Sequence, residues 1–140
     1  MNDHRVRVLE FQIHGKPEEG YLSVMEWGKQ IPFKIARTFI TYDTPESVIR
    51  GRHAHYNTEM VIIAVCGSII LDTEDRYGHR EQIELNSPSA GVFLPTLCWH
   101  TMRYAPGSIQ VVLASTNYNR QDYIADYAEF SRIQQSIIRE

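Results

Sequence analysis

The sequence predicts an all-β domain, a sandwich or barrel of short strands, followed by one C-terminal helix. Three observations carry this expectation. Short apolar and β-branched runs recur along the chain, and clusters of Gly, Pro, Asn or Asp separate them at near-regular spacing. Met60 to Val65 is a continuous apolar run with Gly67 just beyond it, the pattern of a strand buried on both faces. From Asp122 to Ile138 the period changes, because Tyr123, Tyr127, Phe130, Ile133 and Ile137 recur at three- and four-residue steps, as on one face of a helix.

Taken in order, Val6 to Ile13 alternates loosely until His14-Gly15-Lys16-Pro17 breaks it. Tyr21 to Trp27 follows and ends at Gly28-Lys29. Phe33 to Tyr42 is rich in aromatic and β-branched residues, and Asp43-Thr44-Pro45-Glu46 closes it. Ser68 to Leu71 runs into a polar turn at Asp72 to Gly78. Glu81 to Leu85, Ala90 to Leu94 and Ile109 to Ala114 complete the strands. Asn119 and Asp122 supply N-terminal chemistry for the helix.

At 140 residues, with no linker, repeat or low-complexity tract, the chain is expected to form one domain over 1–140. Its 43% hydrophobic and 22% charged residues suit an ordinary core. A formal charge of -3 and pI ≈ 6.1 argue against a nucleic-acid or membrane-surface binder, which needs a basic face. Cys66 and Cys98 lie in apolar contexts that predict buried thiols rather than a disulfide. The start, Met-Asn-Asp-His-Arg, is too polar for a signal peptide, and no apolar run reaches the ~18–20 residues of a membrane span. A cytoplasmic protein is expected.

The most informative segment is Arg50-Gly51-Arg52-His53-Ala54-His55-Tyr56-Asn57-Thr58-Glu59. In a strand, residues two apart share a face, so His53 and His55 point together and a regular strand would add Asn57 and Glu59. His-x-His with Glu four residues on is also the first half of the cupin metal signature. His100, in Cys98-Trp99-His100, would complete a set of three imidazoles and one carboxylate suited to Fe, Mn, Ni or Zn. A metal-dependent enzyme using His53, His55, Glu59 and His100 is therefore one alternative. His4, His14 and His79 lie near the terminus or in turns and are expected to be bystanders. Trp99 is expected to pack in the core, with covering of a bound ligand as the alternative.

A wider set of elements points elsewhere. It comprises Ile31-Pro32-Phe33-Lys34-Ile35-Ala36-Arg37, Tyr42-Asp43-Thr44, Arg50-Gly51-Arg52-His53-Ala54-His55, Cys66-Gly67-Ser68, Leu85-Asn86-Ser87-Pro88 and Trp99-His100. Leu113-Ala114-Ser115, Tyr118, Asp122-Tyr123-Ile124, Tyr127 and Phe130 close it. On these residues the chain resembles the sugar 3,4-ketoisomerase family, WxcM-like cupin enzymes acting on thymidine-diphosphate-linked (dTDP-linked) 4-keto-6-deoxyglucose. The resemblance implies a cupin-like jelly roll, a homodimer with exchanged N-terminal strands, and no metal or other cofactor. It implies an isomerase that moves a carbonyl from C4 to C3 of a dTDP-linked keto sugar for deoxyamino-sugar biosynthesis.

Histidine suits that reaction. A proton on carbon beside a ketone yields to a modest base, and an imidazole near neutrality can both accept and return it. Arginine's planar fork suits a diphosphate. His53 and His55 are the expected catalytic pair, with Arg37, Phe39, Arg50, Arg52, Glu59, His100 and Tyr118 as substrate-binding residues. Arg37 shares strand parity with Phe39 and Thr41, so that face is expected to line the pocket. Three positions depart from the family's pattern: Phe39 where a tyrosine is common, Tyr56 in place of a lysine, and Glu19 before Gly20. Phe39 and Glu19 leave open a non-catalytic nucleotide-sugar-binding module as a further alternative.

Overall fold

The computed structural model describes residues 4–140, so the first three positions of the polar start lie outside the described residues. The strands are β1 (Arg7–Glu10), β2 (Gln12–Lys16), β3 (Gly20–Val24), β4 (Arg37–Tyr42), β5 (Arg50–His55) and β6 (Met60–Cys66). They continue as β7 (Ile69–Glu74), β8 (Arg80–Leu85), β9 (Ala90–Leu94), β10 (Trp99–Tyr104), β11 (Ile109–Ala114) and β12 (Tyr123–Ile124), and the helix α1 spans Tyr127–Ile138. One sheet has the order β1-β9-β6-β11-β4, a second β12-β5-β10-β7-β8, and β2-β3 is a separate hairpin. The two five-stranded sheets face each other as a jelly roll and do not close into a barrel.

Alternation along β6 explains the layering. Met60, Ile62 and Ala64 point between the sheets, where they meet Leu71, Leu94, Met102 and Val112. Val61 and Ile63 point the other way and are covered by Phe11, Ile31 and Phe33. Both faces are therefore buried over Met60 to Ala64, as the continuous apolar run predicts, while Val65 at the end of that run is exposed. The second sheet is covered on its outer side by α1, whose Phe130 packs on Ala54 and Ile124. Trp99 joins that outer layer, edge-on to Tyr127 at 5.3 Å between ring centroids. It is a packing residue, as expected.

Several boundaries differ from the sequence reading. The helix starts at Tyr127 with Asp126 as its cap, whose side chain accepts from Ala128 N at 3.0 Å. Asn119 instead caps a single 3-10 turn, Arg120–Asp122, and Tyr123–Ile124 is a short strand. Asp126 with Glu129 three residues later is the local acid pattern that marks the true start. Strand β7 runs on through Glu74, past the expected turn, because Thr73 and Glu74 are buried. Cys98 is buried, but Cys66 sits at the outward end of β6 and is exposed; both are free thiols.

Gly51 takes φ 82° where β5 pairs with β10, and a Cβ there would lie 2.8 Å from the His100 carbonyl oxygen. Gly51→Ala combines a left-handed backbone with a backbone clash. It should lower stability by about 1–3 kcal/mol, read as a shift in the urea midpoint at unchanged m-value.

Candidate active site

The site begins with an irregularity in β5. His100 pairs with His53, but Thr101 pairs with Gly51, so Arg52 has no partner across the ladder. Arg52 sits at φ 60° beside Gly51 at φ 82°, and this two-residue bulge inverts the alternation. Arg50 and Gly51 thereby line the same cavity as His53 and His55. Arg52 does not. It opens on the outer face with Ile49, Trp99, Asp126 and Tyr127, which corrects its assignment to the substrate pocket.

The cavity, about 250 Å³, lies between the sheets. His53, His55, His100 and Tyr123 form its polar wall, and Met60, Ile62, Met102 and Val112 its apolar floor. Ring centroids are 4.9 Å apart for His53–His55, 4.7 Å for His53–His100 and 4.4 Å for His55–Tyr123. Phe39 and Thr41 line the opposite side from β4, as strand parity predicted. At the inner end the Tyr104 hydroxyl donates to Gln110 Oε1 at 3.1 Å.

Hydrogen bonding fixes the state of each imidazole. His53 Nδ1 donates to the Gly51 carbonyl at 3.0 Å, and His100 Nδ1 donates to the Cys98 carbonyl at 3.1 Å. His55 Nδ1 donates to Asp122 Oδ2 at 3.1 Å, with both residues buried. All three acceptors are oxygens without a proton, so each neutral ring carries its hydrogen on Nδ1 and keeps a lone pair on Nε2. Burial lowers the His53 pKa, which the Gly51 hydrogen bond partly opposes. Burial and the neighbouring His53 hold His55 at about 4, against the raising effect of Asp122. Full burial takes His100 to about 3. Near neutrality the cluster is a set of uncharged bases.

The sequence gives Asp122 a place at the start of the helix and in the Asp122-Tyr123-Ile124 element of the resemblance, but none beside a histidine. Its carboxylate also accepts from Asn57 N at 2.6 Å and from the Thr58 hydroxyl, which in turn accepts from Thr116. The pairing of Tyr123 with His55 and of Ile124 with Ala54 brings the acid behind His55. The Asp-Tyr-Ile segment carried a resemblance, but no local pattern revealed the contact.

Glu59 is not in the cluster. The strand ends at His55, and Glu59 lies in the crossing to β6, where its backbone N–H donates to Ser115 Oγ at 2.8 Å. The face continuity that the metal signature required is therefore broken. Among the described residues no group of three or more His, Cys, Asp or Glu side chains is arranged to hold a metal ion. These residues do not fit the expected metal set.

Arg37 stands beside the cavity with its guanidinium 5.5 Å from the Phe39 ring centroid and 5.7 Å from that of Tyr118. Its Nε is buried without a hydrogen-bond partner, and its charge helps to lower the His55 pKa. Tyr118 is 65% exposed and, among the described residues, meets the site through Arg37 and Tyr123. Of the three departures, only Phe39 alters the cavity. Tyr56 donates to Glu129 on α1 at 2.5 Å, and Glu19 pairs with Lys16 in the β2–β3 turn. His79 binds Asp75, and His4 and His14 stand outside the cavity.

Comparison with known proteins bears on this arrangement. A family model described as WxcM-like, C-terminal (FdtA) matches residues 4–135. A TDP-4-oxo-6-deoxy-α-D-glucose-3,4-oxoisomerase from Aneurinibacillus thermoaerophilus is 35% identical over 116 residues, 81% of each chain. A 3,4-ketoisomerase structure from Helicobacter canadensis superposes with TM-score 0.88 at 34% identity, covering 95% of this chain and 99% of that one. The sugar 3,4-ketoisomerase QdtA from Thermoanaerobacterium thermosaccharolyticum, solved in complex with TDP, gives TM-score 0.88 at 28% identity, covering 94% and 96%. The chain belongs to the WxcM-like sugar 3,4-ketoisomerase family.

The depressed histidines set a pH dependence. Their folded pKa values lie below the unfolded value of about 6.5, so the unfolded chain binds more protons between there and about 4. Stability should be complete above pH about 6.5 and should fall as the pH drops through that window. Calorimetric Tm values taken from pH 7 to 4 check this, and His100→Gln should make the decline shallower.

Proposed function

We propose that this chain converts a dTDP-linked 4-keto-6-deoxyhexose to its 3-keto isomer by proton transfer through an enediol. The single observation that carries the reading is His55, backed by the buried Asp122 carboxylate and presenting Nε2 to a cavity shared with His53. His55 Nε2 takes the proton from C3, and Asp122 stabilises the imidazolium that forms. The same nitrogen returns the proton to C4 of the enediol, so electrons shift only within the sugar. His53, whose ring stands edge-on to His55, accepts a hydrogen bond from a sugar hydroxyl and holds the reacting carbons against Nε2. Arg37 and Arg50 offer guanidinium groups for the diphosphate, with Arg50 at the cavity and Arg37 braced by Phe39 and Tyr118.

The reading extends to a single domain over 1–140 acting in the cytoplasm as a strand-exchanged homodimer. No helix among the described residues is long and apolar enough to cross a membrane. The β2–β3 hairpin carries Ile13, Tyr21 and Leu22 at 48%, 64% and 56% exposure, an apolar surface for a second copy to cover.

Incubation with dTDP-4-keto-6-deoxyglucose in deuterated water should place deuterium on C3 or C4 and yield the 3-keto isomer. Absence of both with folded protein overturns the reading. His55→Asn should reduce turnover by roughly 10²–10⁴-fold. Asp122→Asn should do the same while leaving TDP affinity in place, because an amide donor at Nδ1 would move the ring proton to Nε2. Turnover should persist in excess chelator.

A further inference from the structure

The isomerisation moves two protons, and the histidines account for one. While C3–H passes to C4, the C4 carbonyl oxygen must gain a proton and the C3 hydroxyl must lose one. A neutral imidazole bonded through Nδ1–H to a protein oxygen offers only an acceptor at Nε2. That describes His53, His55 and His100 alike. The oxygen-to-oxygen proton therefore needs another donor in the cavity.

Its lining holds few candidates. Arg50 cannot release a proton in this range. Thr41 is an alcohol, a far weaker acid than a phenol. The Tyr104 hydroxyl is already given to Gln110, and burial pushes its pKa up to about 12. Tyr123 differs on each count. It lines the cavity 4.4 Å from the His55 ring and 5.0 Å from the His53 ring, and its hydroxyl has no hydrogen-bond partner among the described residues. Its backbone is fixed on both sides, by the preceding Asp122 and by the pairing with His55. Phe39, which also lines the cavity, brings no hydroxyl.

We propose that Tyr123 is the catalytic acid–base that carries the hydroxyl proton between the two sugar oxygens, a role that rests on the ketoisomerase reading above. As His55 takes the C3 proton, the Tyr123 hydroxyl protonates the C4 oxygen, and the C3–C4 enediol forms. The phenolate then takes the proton from the C3 hydroxyl as His55 returns its own to C4. Tyrosine and histidine both end as they began, and no oxidant or reductant enters. One phenol serves both oxygens because they sit on adjacent carbons.

Tyr123→Phe tests this, since it removes the hydroxyl and keeps the ring that packs on His53 and His55. Turnover of dTDP-4-keto-6-deoxyglucose should fall by roughly 10²–10⁴-fold in kcat, with Tm and TDP affinity unchanged. Turnover close to that of the unaltered chain overturns the proposal alone. Loss of Tm and TDP affinity along with turnover makes Tyr123 a packing residue and also overturns it. An unaltered chain that does not turn over overturns the reading and the proposal together.

Discussion

The carboxylate of Asp122 is buried between a short turn and the end of β5, and its burial is tolerable only because its oxygens are fully engaged. An unpaired buried charge would cost several kcal/mol, so the donors around it are fixed as firmly as the charge itself. Those donors come from consecutive parts of one crossing: the His55 ring, the Asn57 amide and the Thr58 hydroxyl. One acid thus ends the histidine strand, orients its last imidazole and anchors the segment that carries Tyr123. The 3-10 turn and β12 exist in this place because Asp122 must reach that pocket.

A second constraint acts through the backbone. Two consecutive residues at positive φ, Gly51 and Arg52, let β5 carry one residue more than β10 can pair. The extra residue turns Arg50 into the cavity and Arg52 out of it. Cation and bases are thereby placed on one wall by a local irregularity that a regular strand could not provide. The two effects reinforce each other electrostatically. Burial keeps the imidazoles uncharged, and uncharged rings can share a wall with Arg50 and a neighbourhood with Arg37 without repulsion.

The cavity also separates what varies from what the chemistry requires. Glu19 and Tyr56 are satisfied by Lys16 and Glu129 away from the cavity, so neither changes the groups that face a sugar in this chain. Phe39 does change them, by placing an apolar ring opposite the histidines and beneath the Arg37 guanidinium. A flat apolar ring there favours the cation above it, through the ring quadrupole, over a hydrogen bond to a sugar hydroxyl.

Much of this was legible in the residues themselves. The periods of two and of three to four gave most of the strands and the existence of the helix, because burial on one face writes itself directly into local order. His53 and His55 shared a face for the same reason, and Arg37, Phe39 and Thr41 kept their parity. What local order does not contain is where the chain departs from its own period. The bulge that expels Arg52, the strand end that removes Glu59, and the contact between His55 and Asp122 across 67 residues were decided by tertiary structure. For Arg52 and Glu59 the reason is backbone geometry set by strand pairing, and for the His55–Asp122 contact it is burial. A buried polar group is satisfied by whichever partner the packed fold brings within reach, and sequence neighbours carry no record of that partner.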